Sequence, residues 1–240
     1  MVKKMKTLIA IVTCHSRLVY RDALRSTWIP QIPEELDYRF FSGPSERTPE
    51  ADEVFLNCDD SYAGLPSKVQ AIVLWALERG YDYVLKCDDD VVLLPVKFAN
   101  SGFQNYDFVG HANGDPGSVL VPWGFCYVLS KKAMELVAKA PLPNNNNDEA
   151  WVGHTLYSHG IRLNNDNRYH LYTGRYSDFA PKTPRPLRAP KRDKPIESGP
   201  AELVGNGSFA FCMYIQWMGY RNFPTEMNIA TLKKVFKETQ

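Results

Sequence analysis

The stretch YVLKCDDDVVLL, residues 83–94, sets three consecutive carboxylates, Asp88, Asp89 and Asp90, between two apolar runs. Charges of one sign repel at this spacing, and a carboxylate beside a core is costly to desolvate. A fold that buries both runs must bring compensation to the triplet. A solvated turn with helix-capping aspartates is the ordinary reading of an isolated triplet. Apolar residues on both sides favour a divalent cation instead. Hard oxygen ligands suit magnesium or manganese, which is held by one or two carboxylates and takes its remaining ligands from water and substrate phosphates.

The surrounding pattern alternates. Thr7–Cys14, Asp37–Phe41, Glu53–Leu56, Tyr83–Cys87 and Gly124–Leu129 read as strands. Between them, Tyr20, Leu24, Thr27 and Trp28 recur at helical spacing. A helix is expected over 67–79, with Ser67 as its cap and Gly80 at its end, and another over 131–140. Strands alternating with helices predict an α/β fold, a Rossmann-like, mostly parallel sheet flanked by helices. Ligands of such sheets bind at the carboxyl ends of strands, where the triplet stands.

Bulk composition narrows the class without naming a partner. The chain has 240 residues, 44% hydrophobic and 23% charged, which suits a globular protein of one large or two small domains. A net charge of +1 gives no overall pull toward nucleic acid or membrane. Five cysteines without a CxxC pair suggest buried reduced thiols rather than a disulfide framework or structural zinc. The opening MVKKMKTLIAIVTCHSR resembles a signal peptide briefly, but its apolar run is short and reads as a first buried strand. No run approaches the roughly 20 apolar residues of a membrane span, so a cytoplasmic protein is expected.

Five segments, RDALRSTW, DDSYAGLPSK, YVLKCDDDVVLL, WGFCYVLS and DEAWVG, follow one another over about residues 7–160. In order and spacing this set resembles the β-1,3-galactosyltransferase-like glycosyltransferases, which include Fringe-type and N-acetylglucosaminyl members. The resemblance implies a GT-A fold with a C-terminal extension, a UDP-sugar donor, manganese (or magnesium) and inversion at the sugar carbon. It implies a catalytic domain over 1–175, with a nucleotide-binding half at 1–95 and an acceptor half at 96–175. By position, Asp90 matches the metal ligand, and Asp88 and Asp89 match residues near the ribose and donor sugar. Arg21, Arg25 and Lys68 match the family's early arginines and helix lysine as donor contacts; a surface cation is the bland alternative for each.

An inverting transfer is a single in-line displacement needing a base for the acceptor hydroxyl and no enzyme nucleophile. Aligned on Gly153, Glu149 is the expected base and Asp148 the runner-up, although D-E stands where the family has E-D. Both acids would also suit the first turn of a helix. The family's second metal ligand is a histidine, and His154, His159 and His170 are the candidates. His170, expected in a loop, is preferred. Gly124 would let backbone approach the sugar and Trp123 would stack on it, or serve as a core tryptophan. Thr13 ends the first strand near the expected nucleotide.

Residues 176–200 form a proline-rich basic loop, and 201–240 an apolar then amphipathic segment expected to pack on the same domain as a strand and a helix. Lys182, Arg185, Arg188, Lys191, Arg192 and Lys194 gather there, either as a solvated loop or as an arm for a polyanion. The acceptor implied by the resemblance is a glycan or glycolipid. The arm adds a hydroxylated base in DNA as an alternative, and loss of turnover would leave a sugar- or metal-binding module.

Overall fold

The computed structural model describes residues 5–114, 118–172, 210–213, 233, 236 and 237. Its centre is a seven-stranded sheet. The strands are β1 (Thr7–Val12), β2 (Leu36–Ser42), β3 (Glu53–Phe55), β4 (Tyr83–Asp88), β6 (Phe108–Asn113), β7 (Val121–Ser130) and β8 (Asn164–Asn165). They lie in the order β3-β2-β1-β4-β7-β6-β8. The strands run parallel except β7, which pairs antiparallel with both β4 and β6. This is the expected mostly parallel α/β sheet.

All six residues of β1 are buried, as in a strand covered on both faces. Ile9 and Ile11 face one core with Trp28, Leu85 and Phe98. Leu8, Ala10 and Val12 face the other with Val73, Met134 and Leu156. The first core is covered by α1 (Leu18–Arg25) and α3 (Pro95–Ala99), the second by α2 (Leu65–Glu78), α4 (Lys131–Lys139) and α5 (Asp148–Ser158).

Ser67 is not the cap of α2. The helix begins two residues earlier behind Gly64, with Pro66 in its first turn. Ser67 Oγ donates to the Gly64 carbonyl at 2.8 Å. Gly80, at φ 69°, turns the chain past its end as expected.

A second, three-stranded sheet begins directly after the triplet. It comprises β5 (Val91–Leu93), β9 (Tyr169–Tyr172) and, between them, β10 (Ala210–Met213). His170 therefore lies on a strand and not in a loop, level with Phe211 and through it with Val92. Trp28 ties this sheet to α1, because its indole N–H donates to the Val91 carbonyl at 3.0 Å.

Candidate active site

β4 delivers the triplet at the carboxyl end of the main sheet, and each carboxylate has a different fate. Asp89 is 3% exposed. It accepts from Thr13 Oγ1 at 2.6 Å and from Arg17 Nε at 2.7 and 2.9 Å. Asp88 Oδ1 accepts from Lys86 Nζ at 2.7 Å. Asp90 reaches Arg17 Nη2 only at 3.4 Å, with its side chain 26% exposed. Burial first, then the charges of Asp88 and Asp89, push Asp90 up to about 7. Compensation thus comes largely from Arg17 and Lys86, and Asp90 is left with the least.

Lys86 joins this strand end to the helix that carries the expected base. It is 3% exposed, and its ammonium donates to the Gly124 carbonyl as well as to Asp88. It stands 3.8 Å from Asp148 Oδ2, which also accepts from the Tyr127 hydroxyl at 3.4 Å. Burial opposes the Lys86 charge, but Asp88 and Asp148 outweigh it and hold the ammonium protonated.

The carbonyl of Gly124 is available because β7 is irregular. Gly110 pairs with Tyr127 but Ala112 with Pro122, so His111 faces the four residues 123–126. Such bulges re-aim strands beside sites. Here the bulge brings Gly124 against Glu149. A Cβ on Gly124 would lie 3.0 Å from Glu149 Oε2. Trp123, beside it, is partly buried against the first core.

The first turn of α5 holds both acids. Asn147 caps it, accepting from Ala150 N at 2.8 Å. Gly153 lets the helix press on β7, since a Cβ there would meet Val121 Cγ1 at 2.5 Å. Asp148 is buried, and Glu149 is half-buried. Burial and then the Asp148 charge push Glu149 up to about 7, although a helix N-terminus favours a carboxylate. Tyr62 is 73% exposed, and the charges of Glu149, Asp148 and Asp88 reach its hydroxyl.

Other expected donor contacts are engaged within the protein. Arg21 is 1% exposed and pairs with Glu53 and the Cys14 carbonyl. Arg25 forks onto Asp52 at 3.0 and 2.7 Å. Both pin α1 to the β2–β3 edge. Lys68, 2% exposed, donates to the Thr13 carbonyl at 2.9 Å and to Asp60 Oδ1 at 2.7 Å. Asp60 also accepts from the backbone N–H groups of His15 and Gly43, at 3.0 and 2.6 Å. Lys68 thus braces the turn after β1 from beneath.

Arg17, Lys86, His15 and Asp60 were not singled out from sequence. Of the histidines, His154 is exposed on α5, and His159 at its end contacts the Thr155 carbonyl at 2.8 Å. The basic residues Lys182, Arg185, Arg188, Lys191, Arg192 and Lys194 lie outside the described residues. Cys14, Cys58, Cys87 and Cys126 are free thiols, the last two buried. Among the described residues no helix is long and apolar enough to cross a membrane.

No family model matches the sequence, and no curated protein matches it. Solved structures do. A glycosyltransferase involved in the glycosylation of the major capsid of PBCV-1 aligns with a TM-score of 0.50 at 11% identity, over 95% of this chain and 98% of that one. The fold is GT-A-like. Weaker likenesses are a candidate nucleotide-diphospho-sugar transferase from Desulfovibrio desulfuricans G20 and CMP:2-keto-3-deoxy-manno-octonic acid synthetase complexed with CTP. The former has a TM-score of 0.45 at 11% identity, over 68% of this chain and 80% of that one. The latter has 0.44 at 13%, over 67% and 89%. Within this GT-A-like frame, the triplet, Lys86, Gly124 and the α5 acids form one connected cluster.

Proposed function

We propose that this chain is a metal-dependent inverting glycosyltransferase, moving a hexose or N-acetylhexosamine from a UDP-sugar to a hydroxyl of a glycan or glycolipid. The observation that supports it most is the Glu149 carboxylate, pushed up to about 7 and seated against Gly124, in one cluster with the strand end that carries Asp90. A base poised near neutrality suits removal of an acceptor proton. The reading also draws on the likeness of five ordered segments to β-1,3-galactosyltransferase-like enzymes.

The donor set suits magnesium or manganese. Among the described residues no three His, Cys, Asp or Glu side chains gather into a metal cage. These ions need no such cage, since one or two carboxylates suffice beside water and substrate phosphates. With Asp88 engaged by Lys86 and Asp89 by Arg17 and Thr13, Asp90 would hold the ion, and His170 is the proposed second ligand. When bound, the ion supplies charge stabilisation for the leaving UDP.

The protein's own groups do the rest. Glu149 accepts the proton of the acceptor hydroxyl as that oxygen attacks the sugar carbon from the face opposite the diphosphate. Asp148, fixed by Lys86 and Tyr127, holds the first turn of α5 in place. Trp123 and Tyr62 offer aromatic faces to sugar rings.

A panel of UDP-sugars assayed with manganese, glycan acceptors and hydroxymethylated DNA tests this reading. UDP release that depends on an acceptor supports transfer, and the productive acceptor decides between glycan and DNA. Absence of turnover throughout would identify a binding module, and nucleotides released from DNA a nuclease.

A further inference from the structure

The triplet carries a resident counter-ion that no sequence motif announces. Arg17 lies between β1 and α1, its guanidinium over the Tyr20 ring with the carbon 3.7 Å from the centroid. Its Nε donates to both oxygens of Asp89, and its Nη2 pairs with Asp89 Oδ1 at 2.5 Å and reaches Asp90 Oδ2 at 3.4 Å. Thr13 fixes the same Asp89 from the other strand, and the Arg17 side chain is only 24% exposed. An ion held by Asp90 would settle beside this fixed positive group.

Building on the nucleotide-sugar reading above, we propose that Arg17 keeps a bare divalent ion off Asp90 and admits it together with a nucleoside diphosphate, whose phosphate oxygens engage both the guanidinium and the ion. Two cations around one carboxylate repel strongly where water is partly excluded. A diphosphate supplies the missing negative charge, and a guanidinium is shaped to donate to phosphate oxygens. Arg17 is thereby a donor-binding residue that couples two ligands. The coupling is reciprocal: the factor by which UDP tightens the ion is the factor by which the ion tightens UDP.

Calorimetric titration of manganese into the full chain, with and without saturating UDP, tests this. Wild type is expected to bind manganese at least about tenfold more tightly with UDP than without, about 1.4 kcal/mol of coupling. Arg17→Gln is expected to bind manganese alone about tenfold more tightly than wild type, with the benefit of UDP reduced. Arg17→Lys, which keeps the charge, is expected to exclude the bare ion as wild type does. Equal manganese affinity with and without UDP in wild type overturns the proposal, even if Arg17→Gln does not fold. An unchanged bare-ion affinity in a folded Arg17→Gln also overturns it and leaves the metal-dependent reading intact. Absence of manganese binding in every condition overturns both.

Discussion

Gly124 and Glu149 touch across the bulge of β7 and the first turn of α5, where a methyl on Gly124 would stand 3.0 Å from Glu149 Oε2. The obstructed atom is the end of a side chain, so the chain relieves the clash by turning Glu149 aside. Gly124→Ala is therefore expected to lower transfer by about tenfold or more, since misplacing a catalytic group by about 1 Å costs up to 10² in rate. Its thermal midpoint should stay close to wild type. A large loss of stability with normal specific activity would show that Gly124 serves the strand and not the base.

Glu149→Gln keeps the shape and removes the proton acceptor. Transfer should fall by about 10²–10⁴, the usual worth of a general base, with UDP affinity unchanged. In wild type, kcat/KM should rise with pH and level off above about 7, because a base at Glu149, as proposed, works only when ionised. Loss of that limb in Glu149→Gln, with a small residual rate, checks the assignment. A full rate in Glu149→Gln would pass the role to Asp148.

The same group makes the ligand-free protein pH-sensitive. Its carboxyl titrates higher in the fold than in the unfolded chain, from an ordinary value of 4.5 to about 7. The folded state then holds the proton more tightly, so its contribution to stability is full below 4.5 and is lost as pH rises through about 7. Melting curves from pH 4.5 to 8 should show wild type losing stability relative to Glu149→Gln, which is the more stable protein at pH 8. Parallel curves for the two would contradict this.

Lys86 is the buried cation between Asp88 and Asp148. Removing one partner from a buried charge cluster costs about 3–5 kcal/mol, so Lys86→Met should melt far below wild type. Lys86→Met combined with Asp148→Asn removes charge on both sides and should regain part of the loss. Denaturant unfolding of wild type, Lys86→Met, Asp148→Asn and the double variant measures it, and additive effects would show that the two groups are not coupled.

The central strands, though not their ends, were legible because runs such as TLIAIV are buried on both faces and leave little ambiguity. The triplet was legible for the same reason, since charge between two such runs demands an explanation. Identity of the compensators was not. Arg17 pairs with carboxylates 72 and 73 residues away, and nothing in SRLVYRDALR marks it above Arg21 or Arg25. Those two match the family's early arginines by position, and the acids that receive them, Glu53 and Asp52, arrive only through the pairing of β2 and β3. His170 read as a loop residue because its strand partner is Phe211, 41 positions later. The start of α2 was misplaced because its cap, Gly64, offers no side chain to recognise.

In the proposed mechanism a divalent ion on Asp90 would bridge the protein to the diphosphate of the donor. Calorimetry of UDP binding in manganese and in chelator measures it most directly, on wild type and on Asp90→Asn. Wild type should bind UDP at least about tenfold more tightly in manganese, a gap of about 1.4 kcal/mol, and Asp90→Asn should close that gap. Equal affinity of wild-type protein for UDP in manganese and in chelator would show that no ion on Asp90 joins the protein to the diphosphate.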